Sequence, residues 1–173
     1  SPENVSESAL AVSAGGSAGD VGTVKAGSDA CRAAVEVADV IVCASAAKEA
    51  VFDDAWVQGH AAVLAVGAHT PQTCEVPAGT MGRARVIVED QTVALRENGD
   101  VVRAIADGSL AEGAPISMKS LLGKETAAKV ETSAPSSPTV VTTVGMSWQD
   151  LVVAAAVARH ADENASFRKS CEN

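Results

Sequence analysis

Apolar residues along this chain fall into short unbroken runs separated by polar and amphipathic stretches, a pattern that predicts strands and helices in turn. Ala61 to Val66, closed by Gly67, is the plainest run. Small and branched apolar residues without polar alternation predict a strand covered on both faces, as inside a parallel sheet. Asp39 to Ser45, DVIVCAS, is a second such strand; Arg85 to Glu89, RVIVE, is a third, shorter and bounded by charges as suits a place nearer a sheet edge. The β-branched Thr139 to Val144, TVVTTV, predicts another strand, and Thr23 to Ala26 a short one.

Between them lie helical stretches. Ser28 or Asp29 can cap a helix running to about Val37, because a side-chain oxygen there satisfies the first free amides. Asp53 to Val57 and the region near Pro77 to Gly82 predict short helices. From Gln91, one or two amphipathic helices break around Gly99, and Leu110 to Lys129 is mixed, helical in parts. Ser133 to Pro138 is a crossing segment, and Ser147 to Asn164 a long helix whose stripe is Trp148, Leu151, Val152, Ala155 and Val157. Helix formers at Glu3 to Ser13 predict a first helix running into a glycine-rich loop, Gly15 to Gly22. The alternation as a whole predicts an α/β fold with a doubly wound parallel sheet. Ligands of such sheets bind beyond the carboxyl ends of the strands, so Gly67 to Glu75 is the first place to look for chemistry.

Charge removes some partners. The net charge is −9 with no cluster of Lys or Arg on a helical face, which argues against nucleic acid or an anionic membrane as partner. No apolar run approaches the roughly 20 residues that cross a bilayer, and SPENVSESAL lacks the basic start and apolar core of a signal peptide. A soluble, cytoplasmic protein is expected. Cys31, Cys43, Cys74 and Cys171 are widely spaced, with no CxxC pair and no His at metal spacing; reduced thiols are expected, and no metal site. The sequons at Asn4 and Asn164 then read as chance matches.

A doubly wound sheet usually takes a nucleotide, yet no GxGxxG joins a strand to a helix. The cluster Gly15-Gly16-Ser17-Ala18-Gly19 follows a predicted helix and cannot present a helix N-terminus to a pyrophosphate. Gly123-Lys124 is followed by Glu125 and has no glycine upstream at P-loop spacing.

Four blocks in order carry a resemblance: ADVIVCAS with Lys48-Glu49 after it, VLAVGAHTPQTCEV, RARVIVEDQTVALRENGDV, and TVVTTVGMSWQDLVVAAAVA. Together they resemble the ornithine cyclodeaminase and mu-crystallin family over roughly Pro2 to Ala158. The resemblance implies a homodimeric enzyme whose Rossmann domain binds NAD or NADP, with a substrate and dimerisation domain built mainly from the N-terminal part of the chain. Members of the family act as ornithine cyclodeaminases, alanine-type amino acid dehydrogenases and reductases of cyclic ketimines; a small amino or imino acid is the implied substrate, and a non-catalytic role of the crystallin sort is the other class. Ser1-Pro2-Glu3 resembles the segment just after the second Rossmann strand. The expectation is therefore an incomplete sheet, without its first two strands, their glycine-rich turn and the substrate domain. Residues 1–138 would form a partial dinucleotide domain, and 139–173 a return strand and helix packing toward the absent domain. In the sheet order 3-2-1-4-5-6 the gap would fall between Thr23 to Ala26 and Asp39 to Ser45, leaving the Asp39 strand apolar and unpaired at an edge.

Site residues follow from the matching motifs. Ser45 resembles the position touching the nicotinamide side of the cofactor, though a turn-forming serine fits equally. Leu64, Ala65, Val66 and Gly67 match the strand end that lines the cofactor cleft, where a glycine lets backbone come close. Thr143 matches a cofactor-contacting position, with Gly145 or Ser147 capping the next helix. His69 stands where cyclodeaminases carry an aspartate; an imidazole titrating near pH 6.5 can act as general acid or base or donate to an imine nitrogen. That departure points away from cyclodeaminase and toward a dehydrogenase or ketimine reductase, against the bland reading of a loop histidine bonded to its own turn. His60 and His160 are expected to be solvated. Glu75 matches an acidic residue of the family but is expected to cap the following short helix, Cys43 to be a small core hydrophobe, Cys74 a minor candidate for a reactive thiol, and Trp148 packing.

Overall fold

A computed structural model describes residues 9–13, 21–121 and 136–171. Its main layer is a five-stranded parallel sheet of β3 (Val40–Cys43), β4 (Ala62–Ala65), β5 (Arg85–Val88), β6 (Ile116–Ser117) and β7 (Thr139–Thr142), in the order β3-β4-β7-β5-β6. Helices α1 (Asp29–Glu36), α2 (Ala78–Arg83), α3 (Gln91–Glu97) and α4 (Gly99–Asp107) all supply residues to the core that the sheet shares. Ile41, Cys43, Val63, Ala65, Val86, Val88 and Val140 point into it, with Val35, Met81, Ala94, Val101 and Ala104 from the helices. The α/β class with a parallel, helix-flanked sheet is as the sequence predicts. A 3-10 turn at Asp54–Trp56 lies within the predicted stretch 53–57, and the helices around Gly99 are two.

Local chemistry places the helix boundaries. Ser28 Oγ accepts from Cys31 N at the start of α1, and Asp90 Oδ1 from Val93 N at the start of α3. Gly108, at φ 84°, ends α4 in the left-handed conformation that glycine adopts without penalty.

Four differences from the sequence reading are physical. First, residues 9–13 form a strand, β1 (Ala9–Ser13), paired antiparallel with β2 (Val21–Lys25); the expected helix is replaced there by cross-strand pairs such as Leu10 with Val24. Residues 3–8 and most of the expected glycine loop lie outside the described residues, as do 122–135 of the mixed segment and of the crossing. Second, β2 pairs with β1 in a separate two-stranded sheet instead of lying beyond a gap in the main one; β3 is an edge of the five-stranded sheet, as expected. Third, β5 lies nearer an edge, as expected, but is covered there by the two-residue β6 and joined on its inner side by β7, and Val86 and Val88 are buried. The slot between β4 and β5 is filled by β7, so the sheet is built from both sides of residue 138. Fourth, the strands expected to be covered on both faces are covered on one. Val40, Val42, Leu64 and Val66 are exposed, because no described element packs over them.

The last helix, α6 (Ser147–Cys171), follows a two-residue strand and the short α5 (Met118–Leu121) in the element order and then β7. Trp148, Leu151, Val152 and Val157 are exposed, so the predicted apolar stripe is not buried against the described residues, and Trp148 does not serve as packing there. None of the helices among the described residues is long and apolar enough to cross a membrane.

Candidate functional site

The ladders of β3, β4 and β7 end level with one another: Cys43 pairs with Ala65, and Ala65 with Thr142. Two further hydrogen bonds, Val66 N to Cys43 O and Thr143 N to Ala65 O, carry the pairing one residue on. Ser45, Gly67 and Thr143 therefore stand together just past the carboxyl ends of three adjacent parallel strands. This is where the covering helices part and ligands of such sheets bind.

A single buried carboxylate fixes two of these three. Glu75 is fully buried. Its Oε1 accepts from Ser45 N at 2.5 Å and from Ser45 Oγ at 2.7 Å, and its Oε2 accepts from Gly67 N at 2.6 Å. Both oxygens are used here as acceptors. The expected helix cap is thus overturned: α2 has Pro77 at its N-cap and no side-chain cap, because Glu75 is committed to the strand ends. Gly67 has a correspondingly different reason to be glycine. A Cβ there would lie 1.8 Å from Ser45 O and 2.6 Å from Glu75 Oε1, so the close approach it permits is by the neighbouring strand end and the carboxylate.

Behind Glu75 stands a second carboxylate. Asp100 is buried; its Oδ1 accepts from Glu75 N at 2.7 Å and Val76 N at 3.0 Å, while Oδ2 has no hydrogen-bond partner among the described residues. Burial pushes the Asp100 carboxyl above its ordinary range, outweighing the two amide donors that favour the charge. The first turn of α4 closes on the same loop. Gly99 N donates to Ala68 O, and a Cβ on Gly99 would meet Thr73 O at 1.8 Å. Asn98, also buried, caps α4 through Val101 N and donates from Nδ2 to Thr142 Oγ1 at 2.8 Å, tying helix to β7. Beyond β7, Glu89 accepts from Val144 N, Gly145 N and Gln149 Nε2, holding the turn into α6.

His69 is exposed, and its ring is anchored: Nδ1 lies 2.8 Å from Gly67 O. A carbonyl oxygen only accepts, so Nδ1 carries the hydrogen and the neutral ring keeps its lone pair on Nε2. The bond to its own turn is thus present, and it orients the ring. Of the other expected residues, Leu64 and Val66 lie on the exposed face of the sheet. Ala65 points into the core, and only its carbonyl reaches the site, through Thr143 N. Thr143 is half-buried. Sequence reasoning missed Asp100 and Asn98, and misjudged Glu75; a carboxylate eight residues past a strand-ending glycine is the one cue in the sequence.

Two of the thiols are held back by their environment. Cys31, Cys43 and Cys74 are free and buried; burial, assisted by Glu75 and Asp100, pushes the Cys43 thiol up to about 12, and burial with Asp100 does the same for Cys74. The reading of Cys74 as reactive is overturned. His60 Nε2 lies 3.4 Å from Asp39 on the surface, and His160 is exposed. A cavity of about 530 Å³ is lined by Glu49, Cys74, Val76, Asp100 and Arg103, and by none of the residues expected at the site. No three His, Cys, Asp or Glu among the described residues are grouped to hold a metal.

The site's chemistry is selective. The amides just past β3 and β4, those of Ser45 and Gly67, are both taken by Glu75 and are not free to cradle a phosphate.

Comparison with known proteins follows that geometry. The family model described as Ornithine cyclodeaminase/mu-crystallin family matches residues 5–165. The mouse ketimine reductase mu-crystallin is 35% identical over 121 residues, covering 70% of this chain and 35% of the mouse protein. A Delta(1)-pyrroline-2-carboxylate reductase 1 from Burkholderia multivorans is 32% identical over 95 residues, 48% of this chain and 30% of that one. Among solved structures, the Thermococcus litoralis Delta(1)-pyrroline-2-carboxylate reductase in complex with NADH and L-proline superposes with a TM-score of 0.69 at 22% identity, covering 82% of this chain and 42% of the other. A probable ornithine cyclodeaminase from Bordetella pertussis Tohama I gives 0.68 at 25%, covering 77% and 42%. The chain spans about a third of the length of these curated relatives and about two fifths of the solved ones.

Proposed function

The chain belongs to the ornithine cyclodeaminase/mu-crystallin family, and on that footing we propose that it carries the nicotinamide-side cleft of an NAD(P)-dependent oxidoreductase acting on an imino acid. The observation that carries the reading is the convergence of Ser45, Gly67, His69 and Thr143 beyond the carboxyl ends of three parallel strands. The relatives named ketimine reductase and pyrroline-2-carboxylate reductase support the reaction class. The solved relative with NADH supports the cofactor. The same family relationship supports a homodimer as the working form of such an enzyme.

The residues present fit a nicotinamide better than a pyrophosphate, since a buried carboxylate lies under the strand ends and no free amide nest is offered there. When bound, the cofactor supplies hydride to the substrate carbon. Ser45 and Thr143 would hold it, and Gly67 keeps the floor of the cleft low. His69, with Nδ1 anchored on Gly67 O, turns Nε2 outward as the group that exchanges a proton with the substrate nitrogen: protonated, it donates to the imine nitrogen as hydride arrives; neutral, it takes the proton back in the reverse direction. Histidine in place of an acidic residue favours reduction of an imine over elimination of ammonia from a diamine.

Calorimetry of the chain with NADH and NADPH, followed by loss of nicotinamide absorbance with Delta(1)-pyrroline-2-carboxylate, tests this. In a polypeptide that also carries the glycine-rich turn and the substrate domain, the expected result is dinucleotide binding, with imine reduction that falls on the order of 10²-fold in His69→Ala at unchanged dinucleotide affinity. Undiminished turnover in that variant, or no binding of either dinucleotide by the wild-type polypeptide, overturns it.

A further inference from the structure

We infer that Glu75 is a positioning residue which presents the Ser45 hydroxyl to the cleft solely as a hydrogen-bond acceptor, so that Ser45 selects a ligand group bearing an N–H or O–H. This deepens the proposed function and rests on it for the identity of the ligand.

The inference follows from counting bonds. A serine hydroxyl has one hydrogen to give and two lone pairs to offer. Here the hydrogen is spent on Glu75 Oε1 at 2.7 Å, and one lone pair receives Ala47 N at 3.3 Å. One lone pair remains. The Glu75 oxygens accept from three donors, and a hydroxyl that turned its hydrogen into the cleft would give up the bond to Oε1 and leave that oxygen with Ser45 N alone. Ser45 is half-buried at the site's edge, and Glu75 is fully buried beneath it. Glu75 is fixed in its turn, since its amide donates to Asp100 and its carbonyl accepts from Val51 N. The ligand chemistry that meets a lone acceptor is a primary amide or a sugar hydroxyl; a carbonyl or phosphate oxygen placed there would face a lone pair.

Glutamine separates this role from mere packing, because it keeps the shape and removes one acceptor. With its oxygen toward Ser45, its NH₂ opposes Gly67 N–H. With its oxygen toward Gly67, the NH₂ opposes Ser45 N–H, and the Ser45 hydroxyl is free to turn its hydrogen into the cleft. Four chains are compared, namely wild type, Glu75→Gln, Ser45→Ala and the double variant, by amide hydrogen exchange and by titration with NADH. Glu75→Gln is expected to speed exchange at Ser45 and Gly67 and to weaken NADH about tenfold, the loss of one good hydrogen bond. In the Ser45→Ala background the same substitution is expected to weaken NADH less than about threefold, because the hydroxyl through which Glu75 acts is gone.

An equal loss in both backgrounds overturns the route through Ser45, and unchanged exchange and affinity overturn the role entirely. Should Glu75→Gln not fold, Ser45→Ala alone decides. It is expected to weaken NADH while leaving exchange at Gly67 slow, and full retention of affinity sinks the proposal. A wild-type chain that binds no NADH removes the cofactor reading only; exchange at Ser45 and Gly67 still decides whether Glu75 holds the two strand ends.

Discussion

Alanine at Gly67 is the sharpest test of how the strand ends are held. Gly67 is not among the glycines at positive φ, so alanine meets no backbone penalty and the cost is contact alone. The new Cβ would sit 1.8 Å from Ser45 O, where real Cβ contacts essentially never fall below 3.0 Å. The ends of β3 and β4 must therefore part by about 1.2 Å or more. Neither neighbour yields easily. Ser45 is bonded through both amide and hydroxyl to Glu75, and Val66 N is bonded to Cys43 O one step back. Overpacking of this kind costs about 1–3 kcal/mol, and weakening one hydrogen bond to a buried carboxylate adds about 1.5–3 kcal/mol. A total of about 3–5 kcal/mol corresponds to a fall in Tm of roughly 10 °C or more for a chain of this size. Urea unfolding followed by tryptophan fluorescence measures it through the midpoint at constant m. Gly145→Ala is the control: φ is 73° there and nothing lies within 4 Å of the added carbon, so only backbone strain of about 1–2 kcal/mol is expected. A Gly67→Ala chain within about 1 kcal/mol of wild type would show that the strand ends are not held as described.

Two further outcomes follow from the buried acids and thiols. The Asp100 carboxyl is raised by burial, so its contribution is fully present below the unfolded value near 3.9 and is lost as pH rises through the folded one. Wild type should therefore lose stability relative to Asp100→Asn from about pH 4 upward, by at most about 1.4 kcal/mol per pH unit; a difference that stays flat from about pH 4 to 8 refutes it. With Cys43 and Cys74 both held near 12, the thiolate fraction at pH 8 is on the order of 10⁻⁴. Iodoacetamide should leave both unlabelled in the folded chain and label both in urea, and labelling of native Cys74 at the rate of a free thiol would contradict the burial described.

Much of the layer was legible because its strands are continuous apolar runs: VIVC, AVLA, RVIV and TVVT all lie within the predicted spans. Order in the sheet was not legible. Nothing in TVVT says that it slots between β4 and β5, since that is decided by which gap its two faces fill. ALAVS was misread because leucine and alanine favour helix locally, whereas its partner VGTVK lies across a connection whose pairing no local propensity encodes. At the site, Ser45, Gly67 and His69 were singled out by the family resemblance and by their place after strands, and the structure brings Ser45 and Gly67 together on Glu75. Glu75 was seen and misassigned, because a carboxylate just ahead of a short helix has two uses and only the third dimension brings Ser45 within reach. Asp100 drew no reading, because a lone acid in the first turn of a helix carries no signal that it is buried.

The place of β7 bears on how the chain is made. A ribosome releases β4 and β5 well before residue 139, and in the finished sheet these two strands do not touch. During that interval each has an open backbone edge facing the other across a vacancy one strand wide. Joining them directly would exclude Val140 from its wholly buried position. The nascent chain must therefore keep two adjacent strands apart until a third, encoded some fifty residues after β5, arrives to separate them. The late segment that completes the layer also carries Thr142 to Asn98 and Thr143 to the strand ends, so the cleft and the sheet are finished in the same step.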